Sequence, residues 1–189
     1  FEHGYHGRTN LTMGMTAKNM PYKHRFGPFA PEVYRVPMAY PYRWPGGAGR
    51  CAEEALRTVT DMIHAQVGEE NTAAVVIEPI QGEGGFIVPA EGFLPALSEW
   101  AAANGIVFIA DEIQSGMART GAWFASEHFG LVPDMILSAK GIAGGLPIAG
   151  PRKVAFYGTT SPFGGSGDLL GCDASTTGGV THGHTVAAV

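Results

Sequence analysis

Cysteine is scarce in this chain. The two present in 189 residues, Cys51 and Cys172, stand far apart and match no metal-ligand spacing. With no disulfide framework, a reducing, cytoplasmic setting is expected. Charge is thin as well: 15% of residues are charged and the net charge is −5, so no basic surface for nucleic acid is expected. No apolar run approaches the ~18 residues of a membrane span. The opening FEHGYHGRTN lacks the charged-then-apolar pattern of a secretory signal. An initiator methionine is missing too, and the chain starts in mid-pattern, as expected of a piece of something larger. What is abundant is glycine, 28 residues, about twice the usual ~7%. Tight turns, and backbone that approaches a ligand closely, both draw on glycine. The 45% hydrophobic content and the length suffice for one domain with a real core.

Residues 1–49 carry Pro21, Pro28, Pro31, Pro37, Pro41 and Pro45 among interleaved aromatics. No helical period survives so many prolines, so an irregular segment with aromatic anchors is predicted. From 50 to 67 the pattern changes. Ala52, Ala55, Leu56, Val59, Ile63 and Val67 recur at three- and four-residue steps, which predicts a helix closed by Gly68. A short buried strand is predicted over Ala73–Ile80, a turn at GEGGF, a second helix over Phe93–Ala103 and a strand over Ile106–Ala110. A third strand is predicted over Met135–Ser138. Continuous apolar strands between amphipathic helices predict an α/β fold, a mostly parallel sheet covered by helices on both faces. Residues 151–189 are rich in Gly, Ser and Thr with almost no charge, and a loop or disordered tail is expected there.

In parallel sheets, ligands gather at the carboxyl ends of the strands. Glu78 follows the first predicted strand, Asp111 the second, and Lys140 comes just past the third. A lysine can form a Schiff base with an aldehyde. A pyridine-ring cofactor then serves as an electron sink, provided a carboxylate keeps its ring nitrogen protonated. On residue types alone, an ordinary surface Asp and Lys remain the alternative. Two other constellations carry no site. His3 with His6, and His182 with His184, lack a third ligand, so no metal is expected. GGSGDLLG follows no strand, and is neither a dinucleotide fingerprint nor a nucleophile elbow.

VVIEPIQGEGG, FIADEIQSGMARTG and ILSAKGIAGGLPIAG occur in that order. Together they resemble the class III (omega) aminotransferases of fold type I. YHGRT and MTAKNMPYKHRFGPFAPEVYR are most similar to the bacterial 4-aminobutyrate enzymes within that family. The resemblance covers residues 1 to about 150 and implies part of the large domain that binds pyridoxal 5'-phosphate. Lys140 matches the Schiff-base lysine. Asp111 matches the aspartate at the pyridine nitrogen, Gln114 the residue near the phenolic oxygen, and Ile113 the apolar residue under the ring. Tyr5 matches the aromatic that stacks on the other face, with His6 beside it. Arg8 matches an arginine that grips the substrate carboxylate through its fork of donors. Glu78 matches a glutamate beside the substrate, and Glu83 one that pairs with a mobile arginine lying C-terminal to anything present here. Each has a plainer reading: Tyr5 a packing aromatic, Arg8 a solvated charge, Glu78 and Glu83 turn caps. Glu112 has no role by resemblance; it is expected to be structural or to face a neighbouring helix. The unanswered partner of Asp111 is expected to be a cofactor rather than another residue.

The family's phosphate-binding glycine loop and its small C-terminal domain are not found. THGHTVAAV resembles a loop of some relatives whose threonine, here Thr185, reaches the cofactor phosphate across a dimer; a frameshifted or spliced tail is the other reading. The resemblance implies amino transfer from 4-aminobutyrate to a 2-oxo acid, 2-oxoglutarate, in a homodimer or higher homo-oligomer. Ornithine, acetylornithine or diaminobutyrate as donor remains open. So does a fragment of such an enzyme that no longer carries the reaction.

Overall fold

The computed structural model describes residues 1–144 and 149–153. Four strands form one sheet in the order β1-β2-β3-β4: β1 (Ala74–Ile77), β2 (Val107–Asp111), β3 (Met135–Ser138) and β4 (Gly150–Lys153). The first three run parallel. Ile77 stands opposite Ala110, and Asp111 opposite Leu137. β4 runs antiparallel to β3, with Ser138 opposite Gly150. It was not expected as a strand. GPRK has no alternating apolar pattern, and pairing with β3 alone makes it one. Among the described residues it lies at the edge of the sheet, where a proline is tolerated.

Among the described residues, three α-helices accompany the sheet: α1 (Asn10–Met15), α2 (Cys51–Gln66) and α3 (Phe93–Ala103). α2 and α3 stand where apolar periodicity predicted them. α2 buries Cys51, Ala55, Val59 and Ile63, and ends where the Gly68 amide donates to the Ile63 carbonyl at 2.9 Å. α3 buries Phe93, Leu94, Leu97 and Ala101 completely. α1 lies within the segment predicted to be irregular. It is too short to show a period. Thr9 and Thr12 close it with a reciprocal capping box.

The main core joins α2 and α3 to one sheet face, through Val75, Ile77, Ile106 and Phe108. The opposite face holds a smaller cluster of Ile109, Ile113, Leu137 and Ala139, ringed by half-buried Ala74, Val76, Val107 and Met135. Among the described residues the sheet is mostly parallel and flanked by helices, the α/β arrangement expected, with α2 and α3 packed on the main-core face. The crossover from β2 to β3 contains a 3-10 turn, Ala125–Phe129, in place of a long helix. The Gly/Ser/Thr-rich tail beyond Lys153, with Thr185, lies outside the described residues.

Candidate active site

Register places the strand-end residues. Because β2 pairs in parallel with β3 and Asp111 faces Leu137, Lys140 follows the neighbouring strand just beyond that level. Lys140 starts a 3-10 turn with φ of 52°, in the left-handed region that non-glycine residues avoid. Its side chain is exposed to a cavity of about 350 Å³. Gln114, Ile113, Ile80, Phe86 and Arg119 also line that cavity. The volume sits at the lower end of small-molecule pockets, roughly 300–1,000 Å³.

Gln114 lies over Gly82. A Cβ on residue 82 would collide with the Gln114 amide, so glycine there is what gives the amide its place. Gly82 in turn donates its amide to Glu78 Oε2 at 2.9 Å, while Tyr5 donates its amide to Glu78 Oε1 at 2.7 Å. Glu78 is 4% exposed, and burial pushes its carboxyl above the ordinary 4.5; the His6 charge and the two amides oppose that shift. Glu78 thus ties the Tyr5 segment to the turn at Gly82.

Asp111 is buried, and its Oδ2 lies 2.8 Å from Nδ1 of the equally buried His6. Its Oδ1 accepts the Ile113 amide at 3.2 Å. The expectation named a cofactor rather than another residue as its partner; the structure does give it a residue, His6, which comes from 105 residues earlier in the chain. Each carboxylate oxygen still has a lone pair to offer.

Glu112 points the other way. It accepts hydrogen bonds from Ser115 Oγ (2.6 Å), the Ala125 amide (3.0 Å), and both the amide and Oγ of Ser126 (2.7 and 2.6 Å). It is structural, one of its two expected roles, and it caps the 3-10 turn at Ala125–Phe129.

Tyr5, Tyr22, Glu83 and Arg8 form a neighbouring group. The Tyr5 and Tyr22 rings sit 4.6 Å apart. Tyr22 donates its hydroxyl to Glu83 Oε2 at 2.5 Å, and that bond, with Glu83's charge, holds the phenol up at about 12; the Arg8 charge pulls against it. Lys18 Nζ donates to the Glu83 carbonyl at 2.7 Å. Arg8 is exposed and does not line the Lys140 cavity, nor do Tyr5, His6, Glu78, Glu83 or Asp111. Of the predicted set, then, Lys140, Gln114 and Ile113 share the cavity. Asp111 with His6, and Glu78 with Tyr5, join it through the backbone of Ile113 and Gly82.

Sequence reasoning missed Ser138, Tyr22 and Arg119. Ser138 is 3% exposed, and its Oγ has no hydrogen-bond partner among the described residues. The signal was its position two residues before Lys140 on a buried strand.

A parallel sheet that delivers a buried carboxylate and a lysine from adjacent strand ends is the frame of fold type I transaminases. The chain belongs to the class-III aminotransferase family, whose model matches residues 1–174, further than the resemblance to about 150 had suggested. The 4-aminobutyrate aminotransferase of Mycobacterium leprae is 54% identical over 183 residues, which cover 93% of this chain and 41% of that protein. A probable 4-aminobutyrate aminotransferase of Bacillus subtilis is 46% identical over 182 residues, 93% of this chain and 42% of that protein. Among solved structures, the PLP-bound amine transaminase from an uncultivated Pseudomonas species superposes with a TM-score of 0.71 at 31% identity. That match covers 76% of this chain and 33% of the other. The chain therefore spans about two fifths of the length of the curated relatives it matches. Among the described residues, no helix is long and apolar enough to cross a membrane.

Proposed function

We propose that this chain is the cofactor-binding portion of a pyridoxal-phosphate-dependent transaminase. It would move the amino group of 4-aminobutyrate to 2-oxoglutarate, yielding succinate semialdehyde and glutamate. The observation that carries the reading is the buried Asp111 at the end of β2 and, just past the end of the neighbouring β3, Lys140 opening into a cavity. The names of the most similar relatives support the choice of donor.

The residues present fit pyridoxal phosphate. Ile113 and Ile80 offer apolar wall for a flat ring, Gln114 an amide for an oxygen substituent, and Lys140 an amine. The Ser138 hydroxyl, two residues from that lysine, is buried without a hydrogen-bond partner among the described residues, and a polar atom of a bound group would satisfy it. When bound, the cofactor supplies an electron sink for negative charge developing on the substrate carbon. Lys140 would hold it through Nζ, and the same nitrogen would carry a proton as general base and acid. Asp111 fixes a negative charge in a dry site, where a protonated ring nitrogen is favoured over a neutral one. His6 Nδ1 holds Asp111 Oδ2, and the Ile113 amide holds Oδ1, so the carboxylate does not turn. Tyr5 and Gln114 would border the ring. Glu78, placed by two amides, would stand beside the substrate. Glu83, kept by Tyr22, would be available to an arginine.

A homodimer belongs to this reading. Phe86, Val88 and Trp123, exposed at 76, 53 and 69%, are consistent with a covered surface. The test of the donor is a comparison of 4-aminobutyrate with a primary amine that lacks the carboxylate, scored by 2-oxoglutarate-dependent aldehyde formation. Preference for 4-aminobutyrate that falls in Arg8→Ala supports the reading. Equal use of both amines overturns the 4-aminobutyrate assignment.

A further inference from the structure

The cavity beside Lys140 holds a second cation. Arg119 lines both the 350 Å³ cavity and a wider recess of about 630 Å³ next to it, and Lys140 lines both as well. Among the described residues, no carboxylate lines either one. Among the described residues, the Arg119 guanidinium takes part in no hydrogen bond or ion pair; the ion pairs there are His6–Asp111, Arg50–Glu54 and His64–Glu69. Two positive charges around one concave, partly apolar site raise the local concentration of anions.

The chain also spends structure to put Arg119 there. Glu112 pins both ends of residues 113–124, taking Ser115 at the start and Ala125 with Ser126 just past the end. Gly116 sits so close to the Glu112 carbonyl that a Cβ would come within 2.7 Å of it, so only glycine fits the bend. Met117 and Ala118 then both take left-handed backbone, at φ of 54° and 62°. Two consecutive non-glycine residues in that region are strained, and such strain gathers at ligand sites. His128 Nε2 contacts the Thr120 carbonyl and Oγ1 at 3.1 and 3.0 Å, steadying the residue that follows Arg119. The outcome is a braced arch with a guanidinium at its inner side.

We infer that Arg119 is an oxyanion-binding residue of the Lys140 cavity, its planar fork taking a carboxylate or phosphate oxygen pair while Lys140 stays free for chemistry. Binding of the oxyanion stands on the cavity alone. Its assignment to a substrate carboxylate or to the cofactor phosphate rests on the transaminase reading. Glu112 is the positioning residue of the arch.

The test is titration calorimetry on the full chain with two probes, glutarate and inorganic phosphate. Wild type is compared with Arg119→Gln, Arg119→Lys and the remote surface control Arg57→Gln. Loss of a charge-assisted, bidentate contact predicts weakening of about tenfold or more in Arg119→Gln, a smaller loss in Arg119→Lys, and none in Arg57→Gln. Weakening confined to glutarate identifies a carboxylate site, and weakening confined to phosphate a phosphate site. Equal binding by wild type and Arg119→Gln, an equal loss in Arg57→Gln, or no binding of either probe to wild type overturns the inference. Separately, failure of borohydride to fix pyridoxal phosphate on Lys140 would sink the transaminase reading while leaving the anion measurement intact.

Discussion

At the scale of single residues, adjacent Asp111 and Glu112 show how one sequence pair divides its work. Both are buried carboxylates, yet Asp111 turns to His6 while Glu112 takes four hydrogen bonds from the loop that returns past it. Glu112→Ala would strand two hydroxyls and two amides in a dry interior. A loss of about 3 kcal/mol or more is expected, read by urea unfolding. Glu78 carries a pH signature. Burial raises its carboxyl above 4.5, so the folded chain keeps that proton to higher pH than the unfolded chain does. This contribution is fully present below 4.5 and fades as pH rises through the folded value. Glu78→Gln should flatten the fall in stability just above pH 4.5, seen as denaturation midpoints across that range. Tyr22 offers a spectroscopic reading: Glu83→Ala should bring its phenol down from about 12 towards 10, visible as tyrosinate absorbance appearing at lower pH. That signal should be missing in Tyr22→Phe.

At the scale of elements, what was legible is what repeats. α2 and α3 were readable because their apolar residues recur with a helical period, and β3 because it is a short unbroken apolar run. α1 and β4 were not. Six residues are too few for a helical period, and GPRK is a strand only because β3 offers it a partner. The site divides in the same manner. Asp111 and Lys140 were legible as strand ends. The His6–Asp111 pair, 105 residues apart in the chain, and the brace by Glu112 depend on tertiary return, which no local pattern encodes. Leu97, fully buried between α3 and the sheet, should cost about 2–5 kcal/mol when cut to alanine. Gly82→Ala should cost far less, because the obstructing group is the end of the flexible Gln114 side chain. A crystal structure of that variant should show the Gln114 amide displaced from the cavity.

At the scale of the molecule, the described residues form one mostly parallel frame with α2 and α3 packed on one face and a cation-lined cavity at the carboxyl ends of β2 and β3. Everything proposed for function rests on that cavity accepting pyridoxal phosphate at Lys140. Incubation of the full chain with pyridoxal phosphate, reduction with borohydride and peptide mass spectrometry test this most directly. The account predicts one pyridoxyl-modified peptide, carrying the label on Lys140, saturable, and lost in Lys140→Ala. Label spread over Lys18, Lys23 and Lys140 alike, or retained at the same level in Lys140→Ala, would contradict it.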